Sequence, residues 1–392
     1  MAAPSASSST ISPTRTRALG RKALRLLRHT TMAIDQMRRP ITEAGRIRRA
    51  SIEATIMCNL RCPMCWWWGD NGVAFKMVQE RHPYVKDLLN DEEVRAVIDQ
   101  LAPHQAQLYF SGGEPFSRKG VIGLMEYASK KGLKFGFTTN GTLITDDILQ
   151  RLVACDTLDY VTLSIDGPEA VHDAIRGAGN YRRTMNFAHD LVTHRRAKDH
   201  PRVQVNSTFT REIAGHLGEI VDHSVEAGFD AVNFQNLWFT DAPTAEAHRK
   251  LLAEDFHIDD RGCEGHIFPT PGAEWGRAIV EEYHAVARRS PIPLTMSPDL
   301  TPEEGALYYS DLRFSKAKSC ARPWEGMIIK ANGDVVFCPD QWISGWSIGN
   351  VRQQSIDDIW NGPRAGVFRE ALDRRKLYPV CPRCCIVNGE SK

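Results

Sequence analysis

From Ile52 onward, short runs rich in β-branched and aromatic residues alternate with stretches whose apolar positions recur every three to four residues. The runs predict strands over Ile52–Met57, Gln107–Phe110, Leu133–Thr138, Tyr160–Ile165, Val203–Phe209 and Ala231–Phe234. The helical spacing predicts helices near Asp91–Leu101, Lys119–Lys131, Asp146–Val153, Tyr181–Arg196, Ile213–Ala227 and Ala273–Arg289. Strand, helix and strand in succession read as a parallel crossover, because a segment of that length is needed to return the chain to the same end of a sheet. Six such units predict an α/β fold built on a partial (βα)6 barrel of the TIM type. The pattern then loosens over 241–317. It tightens again near Cys320, where GMIIKANGDVVFC sets two β runs about an Asn-Gly turn, a hairpin signal. The expected organisation is a head over 1–50, a barrel over 51–240, a bridge over 241–317 and a small α+β unit over 318–392.

The residues able to do chemistry follow the strands. Cys58 comes after the first strand, Ser111 to Pro115 after the second and Thr139-Asn140-Gly141 after the third. Asp166-Gly167 follows the fourth, and Gln235-Asn236 the sixth. In α/β barrels the carboxyl ends of the strands form the active-site face, so one mouth would gather thiols, a glycine turn and several polar groups. Any one of these loops is ordinary punctuation, since Gly, Asn and Asp are common after strands. Their coincidence predicts an enzyme.

Composition narrows the setting. The chain has 392 residues, 42% apolar and 25% charged, as a globular protein with more than one folded unit does. No window approaches the roughly 18 apolar residues of a membrane span. Ten cysteines without a signal-peptide pattern predict a reducing cytoplasm and metal binding rather than disulfides. The net charge of +1 conceals a basic head: eleven Lys and Arg against Asp35 and Glu43 give +9 over residues 1–50, leaving −8 for the rest. Within it, ALGRKALRLLRHTTMAIDQM can form an amphipathic helix, packed on the body or held at an anionic surface. The acidic remainder offers no long phosphate-binding surface, so a nucleic-acid partner is not expected.

Cys58, Cys62 and Cys65, spaced C-x3-C-x2-C, cannot complete a tetrahedral zinc shell without a fourth ligand, and none is evident beside them. Three thiolates can instead hold three irons of a 4Fe-4S cube and leave the fourth open to a small molecule. CNLRCPMC after a first strand, followed by GGEP, SIDG and IRGAG, resembles the radical S-adenosylmethionine (SAM) enzymes over roughly residues 50 to 240. The resemblance implies that SAM chelates the open iron. One-electron reduction would then cleave it to a 5′-deoxyadenosyl radical that abstracts a substrate hydrogen. It also implies that Ser111, Gly112, Gly113 and Glu114 meet the methionine amino group, Ser164 and Asp166 lie near the ribose, and Arg176 near the SAM carboxylate. Met64 stands where the family usually has an aromatic residue against adenine, with Trp66 nearby; the run Trp66 to Trp68 reads as packing or as a substrate platform.

Farther along, 17 residues separate Cys320 from Cys338, 42 separate Cys338 from Cys381, and two separate Cys381 from Cys384. With SIGNVRQQSIDDIWNG between them, this segment resembles the SPASM/twitch extension of radical SAM enzymes. That implies one auxiliary 4Fe-4S cluster, with Cys385 able to stand in for Cys384; four thiolates also suit zinc. Cys155 reads as a buried thiol, and Cys263, in DDRGCEG, as an incidental thiol or a hydrogen-atom donor. The expected activity is that of a radical SAM oxidoreductase, dehydrogenating or epimerising a small polar metabolite such as a sugar or aminocyclitol. Flavodoxin or ferredoxin would supply electrons. Maturation of a ribosomal peptide is the alternative.

Overall fold

Seven parallel strands form the barrel wall: β1 (Arg49–Thr55), β2 (Gln107–Gly112), β3 (Phe135–Thr139), β4 (Leu158–Ser164), β5 (Arg202–Thr208), β6 (Ala231–Gln235) and β7 (Leu294–Ser297). The computed structural model describes residues 44–70, 72–197, 200–339, 345–384 and 387. The amphipathic helix expected in the basic head, and Cys385, lie outside the described residues. Each of the six expected strands is present within three residues of its expected ends. The seventh falls in the stretch expected to be a loose bridge. Its four residues between prolines are too short to show a period, and strand geometry comes from the partner, β6, through the pairing of Val232 with Leu294 and Gln235 with Ser297.

The helices are α1 (Val73–Gln79), α2 (Asp91–Leu101), α3 (Val121–Lys130), α4 (Asp146–Val153), α5 (Glu169–Arg176), α6 (Asn180–His194) and α7 (Leu217–Glu226). They continue as α8 (Ala242–Phe256), α9 (Ala273–Arg289), α10 (Pro302–Tyr308), α11 (Arg322–Glu325), α12 (Ile356–Trp360) and α13 (Pro363–Arg375). Local signals fix several starts. Asn90 and Glu93 form a capping box on α2, and Thr301 and Glu304 another on α10, each satisfying amides that a helix start leaves unbonded. α1, α5, α8 and α10 to α13 were not expected; all but α8 and α13 are short, and the apolar faces of those two are weak.

The strand period of two sorts the side chains. On β5, Val203 and Val205 are buried in one cluster with Leu191 of α6 and Ile220 of α7, while Gln204 and Asn206 face the interior of the barrel. Phe110 and Phe135 cross edge to face at 5.8 Å in the same cluster, where burying each ring contributes about 2 kcal/mol.

The expected hairpin is present as β8 (Gly326–Ile329) and β9 (Asp334–Val336), but it is not a separate layer. β8 pairs in parallel with β1 on the side away from β2, β9 runs antiparallel to β8, and β10 (Gly349–Asn350) forms the edge. The result is one ten-stranded sheet in the order β10-β9-β8-β1-β2-β3-β4-β5-β6-β7. β1 therefore lies inside the sheet, with the Cys58 loop leaving its carboxyl end. Because β9 runs the other way, Cys338 follows it toward the amino end of β1.

Candidate active site

A cavity of about 900 Å³ runs along the inside of the barrel. Cys58, Cys62, Cys65, Gly112, Gly113, Ser164 and Arg176 line its upper end, at the carboxyl ends of the strands; Arg49, Gln107, Arg202, Arg322 and Pro339 line its lower end. Between them the wall is made of inward polar side chains, several bonded in pairs. Tyr109 donates to Thr138 at 2.7 Å, Gln204 to Thr162 at 2.9 Å, and Asn233 to Asn206 at 2.5 Å.

The first thiol set is held by backbone. Leu60 N–H points at Cys58 Sγ (3.4 Å) and Trp68 N–H at Cys65 Sγ (3.3 Å), while an Arg176 Nη lies 3.8 Å from Cys62 Sγ. Burial pushes the Cys58 thiol up to about 12 and raises that of Cys62; charge on the neighbouring cysteines adds to both. The glycines of the second loop lie against this one. Gly113 N–H donates to Thr55 O and Glu114 N–H to Met57 O, and a Cβ on Gly113 would fall 2.2 Å from the Met57 oxygen. Glu114 is itself buried, accepting from Thr139 Oγ1 (2.8 Å), Asn140 N–H (2.8 Å) and Phe116 N–H (3.2 Å). Burial outweighs those bonds and raises its pKa.

Arg176, the last residue of α5, is aimed by Asp166. The carboxylate accepts from Arg176 Nε at 2.7 Å, from Thr208 N–H at 2.8 Å and from Ser207 Oγ at 3.3 Å. Asp166 is thus fully buried behind the wall, whereas Arg176 reaches the cavity. Burial opposes the guanidinium charge, but Asp166 and then Cys62 more than offset it, so Arg176 stays charged.

The second thiol set assembles near the amino end of β1. Cys320 precedes α11, Cys338 follows β9, and after α13 Cys381 opens a 3₁₀ turn that Cys384 follows. Burial pushes Cys320 up to about 12 and raises Cys338 and Cys381, and charge among Cys320, Cys338, Cys381 and Cys384 raises them further. These thiols are therefore neighbours, although 17 and 42 residues separate the first three in sequence.

Residues 52–195 match the model of the radical SAM superfamily, and residues 320–385 that of an iron-sulfur cluster-binding domain, SPASM. An AdoMet-dependent heme synthase of Methanosarcina barkeri is 32% identical over 358 residues, spanning 85% of this chain and 86% of that protein. The chain belongs to the radical SAM superfamily. As a radical SAM enzyme with a SPASM domain, it uses SAM and iron-sulfur clusters. A PqqA peptide cyclase of Xanthomonas euvesicatoria is 26% identical over 337 residues, covering 85% of this chain and 79% of that protein. The fold is shared with Streptococcus suis SuiB bound to S-adenosylmethionine, at a TM-score of 0.61 and 16% identity over 83% of this chain and 68% of that one.

The donor sets of this radical SAM enzyme fit those cofactors. Each set is made of thiols that are close enough to raise one another's pKa. Thiolates are the donors that a 4Fe-4S cube takes at its corners. Because burial raises the thiol pKa at Cys58, Cys62, Cys320, Cys338 and Cys381, cluster assembly must release protons there.

Cys263 stands apart. It is buried in the main apolar cluster, pushed up to about 12 by burial and then by Asp260 and Glu264, and it does not line the cavity. From the same 3₁₀ turn His266 reaches the cavity instead, 5.4 Å from the Trp66 ring and 6.1 Å from Trp238, with burial lowering its pKa to about 3. Cys155 bonds Arg151 O at 3.3 Å, outside the cavity wall. Gln204, Asn206, Asn233, His266 and Arg322 were not singled out from sequence, whereas Gln235 and Asn236, which also line the cavity, were. Strand parity could have found the three amides; no local signal marks His266 or Arg322. Among the described residues no helix is long and apolar enough to cross a membrane.

Proposed function

We propose that this radical SAM enzyme dehydrogenates a small polar metabolite, of the sugar or aminocyclitol kind, within the barrel. In this reading Cys58, Cys62 and Cys65 hold the SAM-binding 4Fe-4S cluster, and Cys320, Cys338, Cys381 and Cys384 hold an auxiliary one. The observation that carries the reading is a cavity of about 900 Å³, walled by amides and hydroxyls, that runs from one thiol set toward the other. Its volume and lining suit a ligand with several hydrogen-bonding groups.

When bound, the first cluster and SAM supply one-electron cleavage of the nucleotide and, with it, abstraction of a substrate hydrogen. The chain's own groups do the positioning. Arg176, aimed by Asp166, presents a planar cation suited to the SAM carboxylate, and Ser111, Gly112, Gly113 and Ser164 face the same end of the cavity. Met64, Trp66, Trp67 and His266 form an apolar wall that excludes water there. Farther down, Tyr109, Thr138, Gln204 and Asn206 orient substrate hydroxyl or amine groups. Dehydrogenation is favoured over epimerisation because Cys263, the candidate hydrogen donor, is buried away from the cavity. Flavodoxin or ferredoxin would deliver the electrons.

The likeness to a PqqA peptide cyclase favours a second reading, modification of a peptide. Anaerobic reconstitution tests the ligands: wild type should hold about eight irons and the Cys58/Cys62/Cys65 triple alanine variant about four. Incubation with deuterated candidates tests the substrate. Deuterium in 5′-deoxyadenosine from a metabolite supports the first reading, whereas transfer from a precursor peptide and from no metabolite overturns it.

A further inference from the structure

Asp166, which aims Arg176 into the cavity, is gripped by a second residue of the same helix. It lies in the turn after β4, three residues before the first residue of α5. His172 and Arg176 are four residues apart on α5 and so share one face of it. Arg176 Nε donates to Asp166 Oδ2 at 2.7 Å, while the Asp166 main-chain N–H donates to His172 Nδ1 at 3.2 Å. The other carboxylate oxygen is held by Thr208 N–H and Ser207 Oγ of β5. Asp166 is fully buried and His172 is 1% exposed, so water cannot stand in for either partner. His172 itself does not border the cavity.

The direction of the bond to His172 fixes the state of its ring. An N–H pointing at Nδ1 needs a lone pair there, so the imidazole is neutral and carries its proton on Nε2. Burial, and then the Arg176 charge, lower its pKa to about 4, which keeps it neutral. The ring also meets Tyr181 of α6 edge to face, with 5.5 Å between centres. Tyr181 is tied back to α5 through its own N–H, which donates to Asp173 at 2.8 Å. Without the imidazole the Asp166 N–H is buried unpaired, and the turn must rotate to find another acceptor. Gly167, next in the chain at φ 99°, has no Cβ to resist that rotation. The carboxylate would swing with the turn, and Arg176 with the carboxylate.

We propose that His172 is a positioning residue for the nucleotide: its ring fixes the turn that carries Asp166, and through Asp166 the direction of Arg176 at the upper end of the cavity. The inference rests on Arg176 meeting the SAM carboxylate. It assigns a share of SAM affinity to a side chain that SAM does not touch.

The test is anaerobic calorimetric titration of reconstituted holoenzyme with SAM, for wild type, H172L, H172N, R176M and H172L/R176M. Leucine removes the acceptor at similar volume, whereas asparagine puts an amide oxygen where Nδ1 stood. H172L should bind SAM about tenfold more weakly with about eight irons retained, and H172N should stay within about threefold of wild type. R176M should also bind weakly, and adding H172L to it should change nothing further, because the group being aimed is gone. H172L that binds like wild type beside a weakened R176M overturns the proposal. So does H172N as weak as H172L, or an H172L effect undiminished on the R176M background. R176M that binds SAM like wild type overturns the placing of Arg176 at the SAM carboxylate, and the inference with it. If H172L holds no iron, H172Q, whose acceptor sits at the Nε2 position instead, takes its place under the same criteria.

Discussion

Replacing Asp166 with Asn tests how the upper end of the cavity is held. Asp166 is fully buried and Arg176 only 13% exposed, and the carboxylate accepts from Arg176 Nε at 2.7 Å and from Thr208 N–H at 2.8 Å. The amide keeps the shape and an acceptor oxygen for Thr208, but it leaves the guanidinium buried without its carboxylate. Breaking such a pair from one side costs about 3–5 kcal/mol, because the remaining charge loses its compensation while staying out of water. The full cost should appear in metal-free protein, measured as the loss of unfolding free energy in urea under anaerobic conditions. It should be smaller in D166N/R176M, where no orphaned charge remains, so a double-mutant cycle should show strong coupling. In holoenzyme D166N should also weaken SAM binding, since Arg176 is no longer aimed. A loss below about 1 kcal/mol in the metal-free protein, or a double variant no more stable than D166N, would refute the reasoning.

Other outcomes follow from the same geometry. In G113A the new Cβ would fall 2.2 Å from Met57 O and 2.9 Å from Cys58 N, so the cysteine loop must move; iron should drop toward four per chain, from about eight, with circular dichroism retained. C263A should leave 5′-deoxyadenosine and product formation unchanged, because Cys263 does not border the cavity, and should cost under about 2 kcal/mol of stability. Asp255 of α8 clamps the C-terminal helix by accepting from Arg375 (2.9 Å), Arg374 (2.6 Å) and Tyr378 OH (2.7 Å). Burial pushes its pKa up, but those three bonds bring it below the usual value. Its stabilisation is therefore present above the unfolded pKa of about 3.9 and lost as pH falls through the folded value. D255N should lose about 2–4 kcal/mol at pH 7, and its unfolding midpoint should fall less steeply than wild type below about pH 4.

The thiol sets differ in how they could be read. Cys58, Cys62 and Cys65 share one loop, so covalent spacing alone holds their sulfurs within reach of one another, and the open corner could be argued from their number. Strands β1 to β6 were likewise legible, as short runs rich in β-branched and aromatic residues that alternate with helical spacing. β7 was not, because the alternation in LTMS spans only four residues between prolines, too short to stand out, and the segment becomes a strand by bonding to β6. Asp166 and Arg176 were both expected at the nucleotide; the structure sets one behind the other, which depends on where the turn after β4 meets Ser207 and Thr208 of β5.

The sequence by itself determined the chemistry available: which residues can bind iron, which turns must be glycine, and that strands and helices alternate. These are properties of neighbours along the chain, fixed by bond lengths and side-chain periods. The tertiary structure decided which of these groups share a space. Pairing β8 with β1 brings Arg322 and the Cys338 loop to the barrel's lower end, and the turn after α8 delivers His266 to the cavity while burying Cys263 three residues earlier. Such contacts join residues tens to hundreds apart in sequence, and they exist because burying the apolar faces leaves the sheet one favourable order of strands.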